Sequence, residues 1–107
     1  MPRLTLLMQQ VIQEIASNPT WGYEVYQKLS RRQSQLEELY PNPPVSPFVV
    51  TLGGVYSAIK TLCKYKLVKM HQIEKDGRQV DQIELTTNGR KLLDAYREIM
   101  ARDFALT

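Results

Sequence analysis

The chain holds one cysteine, one tryptophan and one histidine, and each scarcity closes a route. A single thiol, Cys63, excludes an internal disulfide framework and fits a reducing cytoplasm. His71 is alone, with no cluster of His, Cys and Asp at ligand spacing, so no metal is expected. The five glycines form no Gly-x-Gly-x-x-Gly, no phosphate loop and no Gly-x-Ser-x-Gly turn, so neither a catalytic residue nor a cofactor is expected. No apolar run approaches the ~18–20 residues that span a bilayer, which excludes a membrane partner of that kind. The opening residues, MPRLTLLMQQ, keep a helical period without a small-residue cleavage site, so a secretory leader is not expected either.

What is present amounts to one domain, 1–107, within the usual ~100–200 residues. Domains near this size bury only about two-thirds of their unfolded surface, and a core shared between two copies would add stability. The net charge of +3 is mild, but its distribution is uneven. Residues 52–80 carry six basic side chains (Lys60, Lys64, Lys66, Lys69, Lys75, Arg78) against Glu74 and Asp76, a local +4. The rest of the chain has eight basic and nine acidic residues, a local −1. Such a concentration marks either a surface for a polyanion or simply a solvated, lysine-rich face.

Leu4, Leu7, Met8, Val11, Ile12 and Ile15 repeat at three-and-four spacing and predict an amphipathic helix over 4–16. Asn18 precedes Pro19 and is pushed out of helical geometry, which ends it. A second helix is expected over 22–40 with Val25, Tyr26 and Leu29 inward. Trp21, Tyr23 and Tyr26 form an aromatic group at its start. They either anchor the core over the first helix or line a ligand pocket. Four prolines between Pro41 and Pro47 then impose an extended connection over 41–52, with Val45, Phe48, Val49 and Val50 able to pack it down.

A third helix is expected over 53–66, with Val55, Ala58, Ile59 and Leu62 on one face. Its opposite face combines Ser57, Lys60, Thr61 and Lys64: cations for phosphates beside short hydrogen-bonding groups for base edges. Gly53 and Gly54 either let the backbone approach a partner or only loosen the loop before the helix. Cys63 lies on this helix, and neighbouring lysines could lower its pKa and make it a redox sensor; otherwise it is a plain thiol.

Residues 67–86 read as a hairpin. Asp76-Gly77 suits a type I′ turn, which needs positive φ at both central positions. Pairing outward from it sets Met70 opposite Ile83, Val68 opposite Leu85, Lys69 opposite Glu84 and His71 opposite Gln82. Lys75 and Arg78 then make a cationic tip suited to phosphate or minor-groove contact. Thr86 is a good N-cap for a last helix over 87–105. Its stripe of Leu92, Leu93, Tyr96, Ile99 and Met100, reaching towards Phe104, is more than a three-helix core readily covers. It either forms a dimer interface or docks on its own domain.

A basic helix leading directly into a basic hairpin is the layout of a winged helix-turn-helix: α+β, mainly helical, with a two-stranded wing and a C-terminal dimerisation helix. At this point the chain resembles the PadR-like family of bacterial transcriptional regulators. The resemblance rests on Gly22-Tyr23-Glu24 opening the second helix, on Gly53-Gly54-Val55-Tyr56 opening the third, and on Leu85-Thr86-x-x-Gly89-Arg90 closing the wing. It covers roughly residues 4 to 94. It implies a homodimer that binds double-stranded operator DNA and usually represses, with Gly54, Tyr56, Ser57, Lys60, Thr61 and Lys64 towards DNA and Lys75 and Arg78 on the wing. A small hydrophobic or aromatic effector is common in the family, and nothing in the residues identifies one. Two positions depart from the pattern. Lys66 stands where a glycine usually follows the recognition helix, and the proline-rich connection is longer than usual. The competing expectations are a winged helix used for protein contact and a ligand-sensing dimer without strong sequence preference.

Overall fold

Residues 4–39 and 50–106 are described by the structure, a computed structural model. Six elements follow in the order α1 (Leu6–Ser17), α2 (Gly22–Leu39), α3 (Leu52–Lys64), β1 (Val68–Lys75), β2 (Arg78–Leu85) and α4 (Thr87–Leu106). The arrangement is the α+β, mainly helical architecture expected from the sequence, and the small differences at element ends have local causes. Thr5 is extended, and its hydroxyl accepts the Met8 N–H at 3.2 Å, so α1 starts after it while Leu4 tucks into the core. Thr51 does the same for α3, accepting the Gly54 N–H at 3.0 Å, so that helix begins at Leu52. Of the expected proline-rich connection, residues 41–49 lie outside the described residues, as does Tyr40. Val50, where the description resumes, is buried, and its N–H reaches the Gln33 Oε1 on α2 at 3.2 Å.

The end of α3 explains the first departure from the family pattern. Lys66 adopts φ 59°, the left-handed conformation that glycine usually supplies. Its N–H donates to the Cys63 carbonyl at 3.0 Å, and the Leu67 N–H donates to the Leu62 carbonyl at 3.0 Å. This paired closure is a Schellman motif, which turns the chain sharply into β1. The tight exit survives the lysine.

The hairpin has the expected register throughout, from Val68–Leu85 to Lys75–Arg78. Asp76 and Gly77 have φ 53° and 76°, as a two-residue turn matching the twist of the strands requires. Lys69 and Glu84 form an ion pair at 2.9 Å, and His71 and Gln82 a hydrogen bond at 2.9 Å. A third edge was not foreseen. Thr20, between α1 and α2, exchanges backbone hydrogen bonds with Ile83, at 3.0 and 2.5 Å, and so straps the loop to β2.

One core joins all the helices to the base of the hairpin. Val11, Ile12 and Ile15 of α1 meet Val25 and Leu29 of α2, and Val55, Ala58, Ile59 and Leu62 of α3 close over them with Val68 and Ile83. Each fully buried aliphatic side chain here contributes about 1.5–3 kcal/mol relative to exposure. Glu14 is buried between helices and answered by the Arg32 guanidinium of α2.

Leu92 and Leu93, expected at a dimer interface, belong to this core instead, at 9 % and 4 % exposure. The start of α4 lies against the chain's own α1 and β2, and that contact buries both leucines within the single chain. Tyr96 is half-buried against the same core, Ile99 is exposed, and the Met100 side chain lies outside the described residues.

Candidate nucleic-acid interface

The outward face of α3 carries Tyr56, Ser57, Lys60 and Lys64, all exposed, with Thr61 half-buried at its margin. The inward residues fix this face: once Val55, Ala58, Ile59 and Leu62 enter the core, a 3.6-residue period leaves positions 56, 57, 60 and 64 outside. The Thr61 hydroxyl donates back to the Ser57 carbonyl at 3.1 Å, which uses its proton and leaves its lone pairs free. Among the described residues, neither Lys60 nor Lys64 is paired with a carboxylate.

The two glycines at the start of the helix divide their roles. A Cβ on Gly54 would stand 2.9 Å from the Thr51 cap hydroxyl and 3.4 Å from the Leu7 side chain. Gly54 is therefore held by its own capping turn, not by room for a partner. Gly53, which has nothing within 4 Å of such a Cβ, is the position with open space in front of it.

Beside α3, a groove of about 370 Å³ separates the helix from the hairpin. Ile59 and Ile83 line it together with Tyr56, Lys60, Met70 and Asp81. Met70, expected to pair into the apolar side of the wing, is half exposed here because it lines this groove. Gly22 is the other wall. A Cβ on it would lie 2.5 Å from the Tyr56 ring, so the phenol occupies the space that the missing side chain leaves.

The cationic tip is not uniform. Arg78 is exposed and, among the described residues, has no ion pair. Lys75 instead leans back over Trp21, with its Nζ 3.8 Å from the ring centroid. The aromatic group expected at the start of α2 is accordingly split. Tyr23 and Tyr26 stay together at 6.1 Å between centroids, while Trp21 faces the wing. Sequence reading missed this contact, because nothing in the spacing of residues 21 and 75 announces it.

Cys63 offers little to redox chemistry. It is half-buried beside the core, and burial pushes its thiol above the ordinary range, opposite to the shift expected from neighbouring lysines. Among the described residues, no three His, Cys, Asp or Glu side chains come together as a metal site, and no helix is long and apolar enough to cross a membrane.

No family model and no curated protein matches the chain. Solved structures do. A PadR family transcription regulator from Clostridium difficile superposes with a TM-score of 0.71 at 17% identity, over 94% of this chain and 92% of that one. A PadR-like transcriptional regulator from Bacillus cereus gives 0.72 at 18% identity, over 94% and 86%. A PadR-like transcription factor from Bacteroides fragilis gives 0.65 at 16% identity, over 95% and 90%. The chain has the PadR winged-helix fold.

Within that fold the three short motifs acquire physical reasons. Gly22 makes room for Tyr56, and Glu24 pairs with Lys28 one turn on, at 3.1 Å. Leu85 closes the ladder opposite Val68, and the Thr86 hydroxyl caps α4 by accepting the Gly89 N–H at 3.0 Å. That hydroxyl also lies 2.7 Å from the Lys66 carbonyl, to which it donates. Arg90 reaches the Ala16 carbonyl in the last turn of α1 at 3.3 Å. The Leu85-Thr86-x-x-Gly89-Arg90 segment at the end of the wing thus locks the hairpin exit to α1 and to the end of α3.

Proposed function

We propose that this chain is a sequence-specific DNA-binding transcriptional regulator, a cytoplasmic homodimer that represses by occluding a promoter. The observation that carries this reading is the pair Lys60 and Lys64, one turn apart on the exposed face of α3 and without an ion pair among the described residues, with exposed Ser57 one turn before Lys60. A helix presents such a face to a major groove, where lysines reach phosphates and short polar groups reach base edges. In this reading Tyr56, Ser57, Lys60, Thr61 and Lys64 contact DNA and Arg78 approaches the backbone from the wing. Gly53 supplies the close backbone approach, because Gly54 is occupied by its cap. The fold neighbours are named as transcription regulators, which supports the same assignment.

The homodimer rests on the part of α4 beyond Tyr96, where Ile99 is 54 % exposed on a helix that continues to Leu106. Leu6 on α1 is exposed as well. Repression needs nothing more than a bound dimer covering a promoter, and two-fold symmetry predicts an inverted repeat as its site.

Selection of bound duplexes from a random DNA pool tests the reading, with a Lys60→Ala/Lys64→Ala double variant alongside. Enrichment of an inverted repeat by the wild type, lost in the variant, is the expected result. A pool that stays unenriched at low and moderate salt would sink sequence-specific binding and leave α3 as a protein-contact surface. Trp21 emission that responds to a narrow set of aromatic compounds would add a ligand-controlled dimer.

A further inference from the structure

Lys75 and Arg78 face each other as the last pair before the turn, and they project from the same side of the hairpin. Like charges directly opposite each other in a ladder repel. Here the repulsion is relieved from outside the hairpin, because the Lys75 ammonium rests on the Trp21 ring at 3.8 Å from its centroid. Trp21 is itself well fixed. Its carbonyl accepts the Val25 N–H at 3.1 Å in the first turn of α2, and the preceding residue, Thr20, is hydrogen-bonded in both directions to Ile83. The Thr20–Trp21 pair therefore grips the hairpin twice, by backbone near its base and by the ring near its tip. Ile73 and Val80, on the same side as Lys75, are half-buried although they stand outside the main core, which fits a ring lying along that side. Gly22, the next residue, is the one against which Tyr56 of α3 rests, so the same short segment touches both the wing and the recognition helix.

We propose that Trp21 is a positioning residue for the wing: its ring holds the Lys75 ammonium, sets the angle of the tip against α3, and leaves Arg78 as the tip's phosphate contact. A two-stranded hairpin is marginal by itself, and this one has core residues only at its base, Val68 and Ile83. Without the ring, the tip is free to swing and its two cations repel. The inference rests on the DNA-binding reading for its consequence, but the brace itself exists in the free protein.

The experiment has two arms. In the first, without DNA, hydrogen exchange of the hairpin amides is compared in wild type, Trp21→Phe, Trp21→Ala and Lys75→Gln, with the α1 amides as a check that each variant is folded. Faster exchange over residues 72–81 in Trp21→Ala and Lys75→Gln is expected, with Trp21→Phe close to wild type because it keeps a ring face. In the second arm, duplex affinity is measured across a salt series. Lys75→Gln is expected to bind about two- to fivefold more weakly with the salt slope unchanged, as befits a cation–π contact at an exposed site. Arg78→Gln is expected to lower the slope by about 1. Unaltered exchange in both Trp21→Ala and Lys75→Gln would overturn the brace, and so would a slope drop of about 1 in Lys75→Gln, which would place that lysine on a phosphate. If wild type shows no salt-dependent duplex binding at all, the DNA reading fails by itself, and the exchange arm alone decides whether Trp21 positions the wing.

Discussion

Gly89 passes so close to Leu67 that a Cβ on it would stand 2.0 Å from the Leu67 carbonyl oxygen. The first turn of α4 is pressed there against the backbone leaving α3, and the Thr86 N–H donates to that same carbonyl at 3.1 Å. A backbone oxygen cannot swing aside as a side chain can. Gly89→Ala is therefore expected to lower stability by about 1–3 kcal/mol, the range of overpacking that forces backbone shifts. Gly53→Ala supplies the contrast. With nothing within 4 Å of its Cβ and a helical position, it is expected to be neutral or to gain up to about 1 kcal/mol. Urea unfolding of the two variants side by side checks both, and equal effects would refute the packing argument.

Lys66 leads to a prediction of the opposite sign. A non-glycine residue in the left-handed region costs roughly 1–2 kcal/mol, and here the cost comes with no side-chain hydrogen bond or ion pair among the described residues. Lys66→Gly is expected to raise the unfolding free energy by about 1 kcal/mol while leaving the Schellman closure intact. The larger backbone freedom of glycine in the unfolded chain offsets part of that gain. A variant less stable than wild type in the same urea titration would mean that the lysine makes a contribution its geometry does not reveal.

What could be read from the sequence, and what could not, follows from the range of each interaction. The hairpin register was fully legible because Asp76-Gly77 sets a two-residue turn, and a wrong register would have put Lys69 and Glu84 opposite apolar partners. The face of α3 was legible for the same reason, since the period of Val55, Ala58, Ile59 and Leu62 leaves only one side for lysines. Periodicity says that Leu92 and Leu93 are covered but not by which body, and the structure assigns them to their own core. Neighbouring glycines look alike in a sequence, so only the position of the Thr51 hydroxyl tells Gly54 from Gly53. The Thr20–Ile83 bridge, the Arg90–Ala16 hydrogen bond and the Lys75–Trp21 contact join residues more than 50 positions apart. Such contacts are set by tertiary packing and leave no local pattern.

Gly22 links the fold to the proposed function. Its missing side chain is where the Tyr56 ring lies, and Tyr56 is half exposed on the candidate DNA face. A methyl group at position 22 would displace the far end of a flexible side chain, which is inexpensive compared with displacing backbone. Gly22→Ala is thus expected to change stability by less than about 1 kcal/mol. The same variant should shift the selected DNA sequence as Tyr56→Ala does. If Tyr56→Ala changes the selected sequence and Gly22→Ala does not, Gly22 has no part in placing the phenol.

The lysines of the two neighbouring elements should separate cleanly in their response to salt. Lys60 and Lys64 are unpaired among the described residues, whereas Lys69 on β1 is held by Glu84 at 2.9 Å. That hydrogen bond keeps the Glu84 carboxyl below the usual carboxylate range, so at neutral pH the pair is intact and Lys69 is already neutralised in part. Each lysine that meets a phosphate releases about one counterion, and its loss lowers the slope of log affinity against log salt by about 1. Lys60→Ala and Lys64→Ala are expected to show that drop and to weaken binding to all duplexes alike, while Lys69→Ala is expected to leave the slope where it was. Measuring the three slopes on one duplex settles the geometry. A drop confined to Lys69→Ala would turn the hairpin, and not α3, towards the nucleic acid, and unchanged slopes in both α3 variants would remove that helix from the interface.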